Sequence, residues 1–141
     1  MKQTLLKSIT CAGLLLFSFG AAQAVAQDHD DDAWHRSREE FYAGTGWRMH
    51  MFERIRVDLD HVQDVAFGRR DEDRIVRTKE KISELQEKMA AGRYDRPELD
   101  DVIASLETVV EDNRLSRSDR DMLTDDLSRV RDYQAHHENW H

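Results

Sequence analysis

The sequence predicts an all-α fold, an up-down antiparallel bundle of about four helices behind a disordered acidic N-terminal leader. Three observations carry that expectation. Apolar residues recur three and four positions apart in four successive segments. No segment alternates with the period of two that a half-buried strand needs. The connections are only a few residues long, which makes neighbouring helices antiparallel.

The first 26 residues read as a signal peptide. Lys2 and Lys7 form a basic start, "ITCAGLLLFSF" an apolar stretch, and "AAQAVAQ" two small-residue cleavage frames, after Ala24 or Ala26. The run is too short to span a bilayer. The single cysteine, Cys11, lies inside it, so the mature chain is expected to have neither a disulfide nor a haem-attachment motif. Removing residues 1–26 takes two of the 21 basic residues and none of the 29 acidic ones, moving the formal charge from −8 to −10. Such a balance disfavours nucleic acid and anionic membrane surfaces as partners. The expected location is therefore periplasmic or extracellular.

Residues 27–46 read as a flexible acidic leader with a short helix capped by Ser37. The bundle is expected over residues 47–135, with a frayed tail at 136–141. Phe52, Ile55, Leu59, Val62 and Ala66 make the first stripe, on a helix from Trp47 to Phe67 that ends at Gly68. Ile75, Thr78, Ile82, Leu85 and Met89 make the second, and "KEKISELQEK" covers its exposed side with opposite charges. Gly92 closes that helix. Leu99, Val102, Ile103, Leu106, Val109 and Val110 form the third stripe, ending at Asn113. Met122, Leu123, Leu127, Val130 and then Tyr133 or Gln134 form the fourth. Pro97 falls in the first turn of the third helix, where a missing N–H costs little.

"GRYDRPELDDVI" is echoed by "NRLSRSDRDMLT". A calcium loop would need side-chain oxygens at its third and fifth positions. The first copy places Met89 and Ala91 there, and the second places Val110 at the third. Helix capping fits both copies: Asp95 with Glu98 three later, and Ser116 with Asp119 three later. The segment from Tyr94 to Tyr133 that contains these loops resembles stretches of small exported bacterial helical proteins of no assigned function. The resemblance implies an exported helical protein and no chemistry. "LTDDL", Leu123 to Leu127, is similar to the LTxxQ box of periplasmic helical stress chaperones. Leu127 stands in place of the glutamine, and that activity is not carried over.

Metal chemistry is the alternative to a binding role. Cleavage after Ala26 would put His29 third from a free amine, a set that can wrap Cu(II) or Ni(II) in a plane. His137 and His141 are four apart and could grip a metal if the last helix continued. Met49 and Met51 in "GWRMHM" offer soft sulfur, but two positions on a helix diverge by roughly 200°. Paired acids such as Asp100–Asp101 and Asp125–Asp126 read as solvent faces. With no GxSxG, HExxH or Gly-rich phosphate loop, the expectation is not an enzyme. It is a binding or structural module without a resident cofactor, contacting a protein partner or a second copy through helical faces.

Overall fold

A computed structural model describes the backbone from Gly20 to Asn139 and the side chains from Asp32 to Asn139. The described residues are helical, with no strand among them. Residues up to Gly44 and residues from Thr45 form separate compact units.

The first unit carries α1, Gly20–Ala43. The sequence reading expected a flexible leader here, with a short helix from Ser37. The structure has one helix over these residues, running through Ser37. No proline or glycine interrupts residues 21 to 43, and most of them are adequate helix formers. The helix lacks an apolar stripe, so periodicity gave no sign of it. Local contacts decorate its C-terminal part. Arg36 Nε donates to the Asp32 carbonyl at 3.2 Å, the Arg38 guanidinium lies 4.8 Å from the Tyr42 ring, and Phe41 meets Tyr42 edge-on at 5.0 Å.

In the second unit a 3-10 turn, Trp47–His50, leads into α2, Met51–Asp64. Then come α3, Arg69–Ala90, α4, Arg96–Asp112, and α5, Arg117–His136. The helix α2 is shorter at both ends than its stripe suggested, and Ala66 lies beyond it. At the front, Trp47 tucks against α5, its ring 5.0 Å from the Arg129 guanidinium. Behind α2, Gly68 has φ 89° and ψ 162°, a region that only glycine enters without strain, and it turns the chain into α3.

Helix α2 packs on α3 and α5, α3 on α4, and α4 on α5. The stripes meet in one seam. Met51, Ile55, Leu59, Ile75, Ile82, Leu99, Val102, Leu106, Val109, Leu123 and Val130 are fully enclosed. Each large aliphatic side chain in it contributes about 1.5–3 kcal/mol on leaving water. Met51 belongs to this seam while Met49 is 82% exposed, which is the divergence expected of their spacing.

Charged residues enter the seam as well. Arg54 Nε lies 2.9 Å from Asp58 Oδ1, the side chains only 9% and 0% exposed. Asp126 is also fully buried. This corrects the reading of Asp125–Asp126 as a solvent face. Met122, Asp126 and Val130 are four apart, so Asp126 sits within the apolar stripe of α5.

Both echoed loops start helices. Asp95 Oδ1 accepts from the Glu98 N–H at 3.1 Å, and Ser116 Oγ accepts from the Asp119 N–H at 3.0 Å. The second cap is reciprocal, because the Ser116 hydroxyl donates to Asp119 Oδ2 at 2.7 Å. Gly92, at φ 73°, ends α3 in a Schellman turn. Its N–H donates to Met89 O at 2.9 Å and that of Arg93 to Lys88 O at 3.0 Å.

Candidate functional site

On α3, Arg70, Arg74, Arg77, Lys81 and Lys88 are spaced four, three, four and seven apart. That spacing keeps them on one side of the helix. Carboxylates of α4 answer most of them. Arg74 Nη2 is 3.6 Å from Asp112 Oδ2, and Lys81 Nζ is 3.8 Å from Asp101 Oδ2. Lys88 Nζ donates to Asp95 Oδ2 at 2.9 Å and Glu98 Oε2 at 2.5 Å. The result is a ladder of cation–carboxylate rungs along the α3–α4 edge. Exposed rungs are each worth little in stability, but together they fix the register of the two helices.

Lys88 is the most closely engaged rung. Its hydrogen bonds to Glu98 and then Asp95 hold its ammonium above the ordinary Lys value of 10.5. In return the Lys88 hydrogen bond, followed by the Glu98 N–H, holds the Asp95 carboxyl below its ordinary 3.8. The side chain of Asp95 therefore caps α4 and ties it to α3.

The ladder is broken at Arg77. Its Nε donates to the Asp73 carbonyl at 3.1 Å on its own helix. Among the described residues no carboxylate lies within ion-pair distance of it. The α4 positions at this level are Ala104, Ser105 and Thr108, and they leave a cleft of about 370 Å³. Arg74, Arg77 and Lys81 line one wall, and Asp101 closes the end below Lys81. Beside Ser105, Thr78 is fully buried, and its hydroxyl donates to the Arg74 carbonyl at 2.9 Å. Ser105 Oγ lies 2.7 Å from Thr78 Oγ. With the Thr78 proton already given to Arg74, Ser105 is the donor in that pair. The Thr108 hydroxyl donates to Ala104 O at 2.9 Å. The hydroxyl protons of the cleft are thus spent, and its outward-facing donors are cationic.

Of the histidines singled out for metals, only His137 has a described side chain. His137 lies in a 3-10 turn after α5 and stacks flat on Tyr94, centroids 3.7 Å apart and planes 2° from parallel. The side chain of His29 and all of His141 lie outside the described residues. The tail was expected to fray from residue 136. Within that stretch His137 carries the aromatic stack, and the turn runs to Asn139. His50, His61 and His136 each stand near one carboxylate, of Glu53, Asp119 and Asp132, at 3.6, 3.7 and 3.0 Å. Among the described residues no three His, Cys, Asp or Glu side chains converge in a way that would hold a metal ion. Beside His137, Tyr133 meets Phe52 edge-on at 5.4 Å. Burial, then the neighbouring Tyr94, raises the Tyr133 hydroxyl above the ordinary value of 10.0.

The cleft was not among the sequence expectations. Its signal was the four-three-four spacing of Arg70, Arg74, Arg77 and Lys81, within a chain whose total charge is −8. Comparison with family models, with curated proteins and with solved structures finds no match.

Proposed function

We propose that the chain is a small exported, acidic, non-catalytic binding or structural module, presenting the faces of an up-down antiparallel four-helix bundle. The single observation that carries this reading is that the buried polar side chains are used structurally, to tie a loop to a helix, to cap a helix or to pair within the seam. Asp71 of α3 accepts from the Arg114 N–H at 3.0 Å. Asp119 closes a cap, and Arg54 pairs with Asp58 within the seam. The chemistry left over lies on outward faces, the α3–α4 edge above all.

The antiparallel arrangement is supported by which residues meet. Phe52 and Tyr133 pair at one end of α2 and α5, and His61 and Asp119 at the other. Arg74 faces Asp112 while Lys88 faces Asp95. Gln134 Nε2 donates to Asp100 Oδ1 at 2.5 Å, and Arg131 pairs with Glu107, so α4 and α5 also run in opposite senses.

The test is sedimentation velocity across a wide concentration range, with and without chelator, beside a native mass spectrum of the chain processed by a bacterial host. The expected result is a metal-free chain starting at Val25 or Gln27 that self-associates or takes up a partner regardless of chelator. A mass increment of copper, nickel or zinc that disappears with His29, His137 or His141 would replace this reading with a metal-binding one. An unprocessed chain would remove export.

A further inference from the structure

The interrupted ladder between α3 and α4 specifies its own ligand. We propose that the cleft at Arg77 is a binding site for a carboxylate, supplied by a small acid or by an Asp or Glu side chain of a partner. This deepens, and rests on, the reading of the chain as a binding module.

The register of the neighbouring rungs says what is missing. Asp112 meets Arg74 and Asp101 meets Lys81, so the α4 position level with Arg77 is close to Thr108. A carboxylate there would continue the series, and the sequence supplies a hydroxyl instead. Among the described residues, the guanidinium of Arg77 has only its Nε engaged, by the Asp73 carbonyl. Its terminal N–H groups form a planar fork suited to two coplanar oxygens. Lys81 adds a second cation from the same wall.

Donor supply favours a carboxylate over a tetrahedral oxyanion. Phosphate is best held by several donors from different directions. Here the protons of Thr78 and Thr108 go to backbone carbonyls and that of Ser105 to Thr78. Asp101 lines the cleft and Asp112 pairs with Arg74 of its wall, and both repel a dianion more than a single carboxylate. The volume of about 370 Å³ lies within the range of small-molecule sites, and a Glu side chain would enter it with room to spare.

The experiment follows the side-chain Nε–H of Arg77 and the backbone amides of α3 and α4 by nitrogen-edited NMR, at low ionic strength. Three probes are titrated: succinate, an N-acetylated, C-amidated Glu-Glu dipeptide, and inorganic phosphate. Saturable shifts centred on Arg77 with succinate or the dipeptide are expected, and whichever binds more tightly names the source. Arg77→Gln is expected to weaken that binding by about tenfold or more. Thr108→Glu, which tethers a carboxylate at the missing rung, is expected to abolish the shifts and raise the melting temperature, whereas Thr108→Gln leaves binding in place. Phosphate binding more tightly than both carboxylates would overturn the ligand assignment. Unperturbed Arg77 signals with all three probes would overturn the site. The binding-module reading would survive either result if self-association or partner uptake persisted in sedimentation.

Discussion

Asp71 and Asn113 stand 42 positions apart and are locked together: the Asn113 amide donates to the Asp71 carbonyl at 3.1 Å. Arg74 sits between them, donating from Nη1 to Asp71 Oδ1 at 3.1 Å and to Asn113 Oδ1 at 3.2 Å. The other Asp71 oxygen receives the Arg114 N–H. The loop between α4 and α5 is thereby clamped to the first turn of α3, and the carboxylate of Asp71 also faces the positive end of that helix.

Because Asn113 is 3% exposed, its replacement by Ala takes one partner from the Asp71 carbonyl and one from the part-buried Arg74 guanidinium. Asn113→Ala is expected to lower stability by about 1–3 kcal/mol. Urea denaturation should show an earlier midpoint with an unchanged slope, since the seam itself stays intact. A midpoint equal to that of the parent would mean that water replaces the clamp at no cost.

The echoed loop gives a second expectation. Ser116→Ala removes the hydroxyl that satisfies the Asp119 N–H and should cost about 0.5–2 kcal/mol. Thermal melts of parent and variant should superimpose with calcium or with chelator present. A calcium-induced rise in the parent's melting temperature would show that the loop does more than start a helix.

Much of this fold could be read from spacing alone. Ile55, Leu59, Ile82, Leu106 and Val130 are enclosed because a period of 3.6 decides which side of a helix faces its neighbours. Asp95 and Ser116 were legible because caps are local. The clamp was not, since nothing near Asp71 in the chain announces Asn113. Asp58 and Asp126 were hidden for another reason: a charge beside Leu59 or Leu127 looks like the polar flank of a stripe, and only tertiary packing encloses it. The cleft depends on the register of α3 against α4, which places Thr108 rather than an acid opposite Arg77. The helix α1 lacks the periodic stripe that would have betrayed it.

The Arg54–Asp58 pair yields a sharper contrast. With the two side chains 9% and 0% exposed, removing one member leaves a charge in the seam, so Asp58→Ala should cost about 3–5 kcal/mol. Replacing both, as Arg54→Met with Asp58→Leu, should cost less than Asp58→Ala alone, because the seam then loses its ions without stranding either. A double variant as unstable as the sum of the singles would contradict that account. Chemical denaturation of the parent, of Arg54→Met, of Asp58→Leu and of the double variant measures the coupling directly.

Lys88 links the ladder to pH. Asp95 is held below its ordinary 3.8 by the Lys88 hydrogen bond and then the Glu98 N–H, so the folded chain binds its proton less readily than the unfolded one. Its contribution is complete above 3.8 and is lost as pH falls through the lower folded value. Lys88 is held above 10.5 by Glu98 and then Asp95. Its contribution is complete below 10.5 and disappears as pH climbs through the raised value. Both groups are well solvated, so the changes should be small and should shrink in high salt. Lys88→Met is expected to flatten both the acid and the alkaline limbs of the melting temperature against pH, whereas Asp95→Asn should flatten the acid limb and weaken the alkaline one only in part. Above pH 10 a further loss should remain in both variants, because buried Tyr133 resists ionisation in the folded chain and the unfolded chain does not. Tyr133→Phe should remove that residue of alkaline sensitivity. If Lys88→Met left both limbs as steep as in the parent, the pairing of Lys88 with Asp95 and Glu98 would not be what holds the start of α4 against α3.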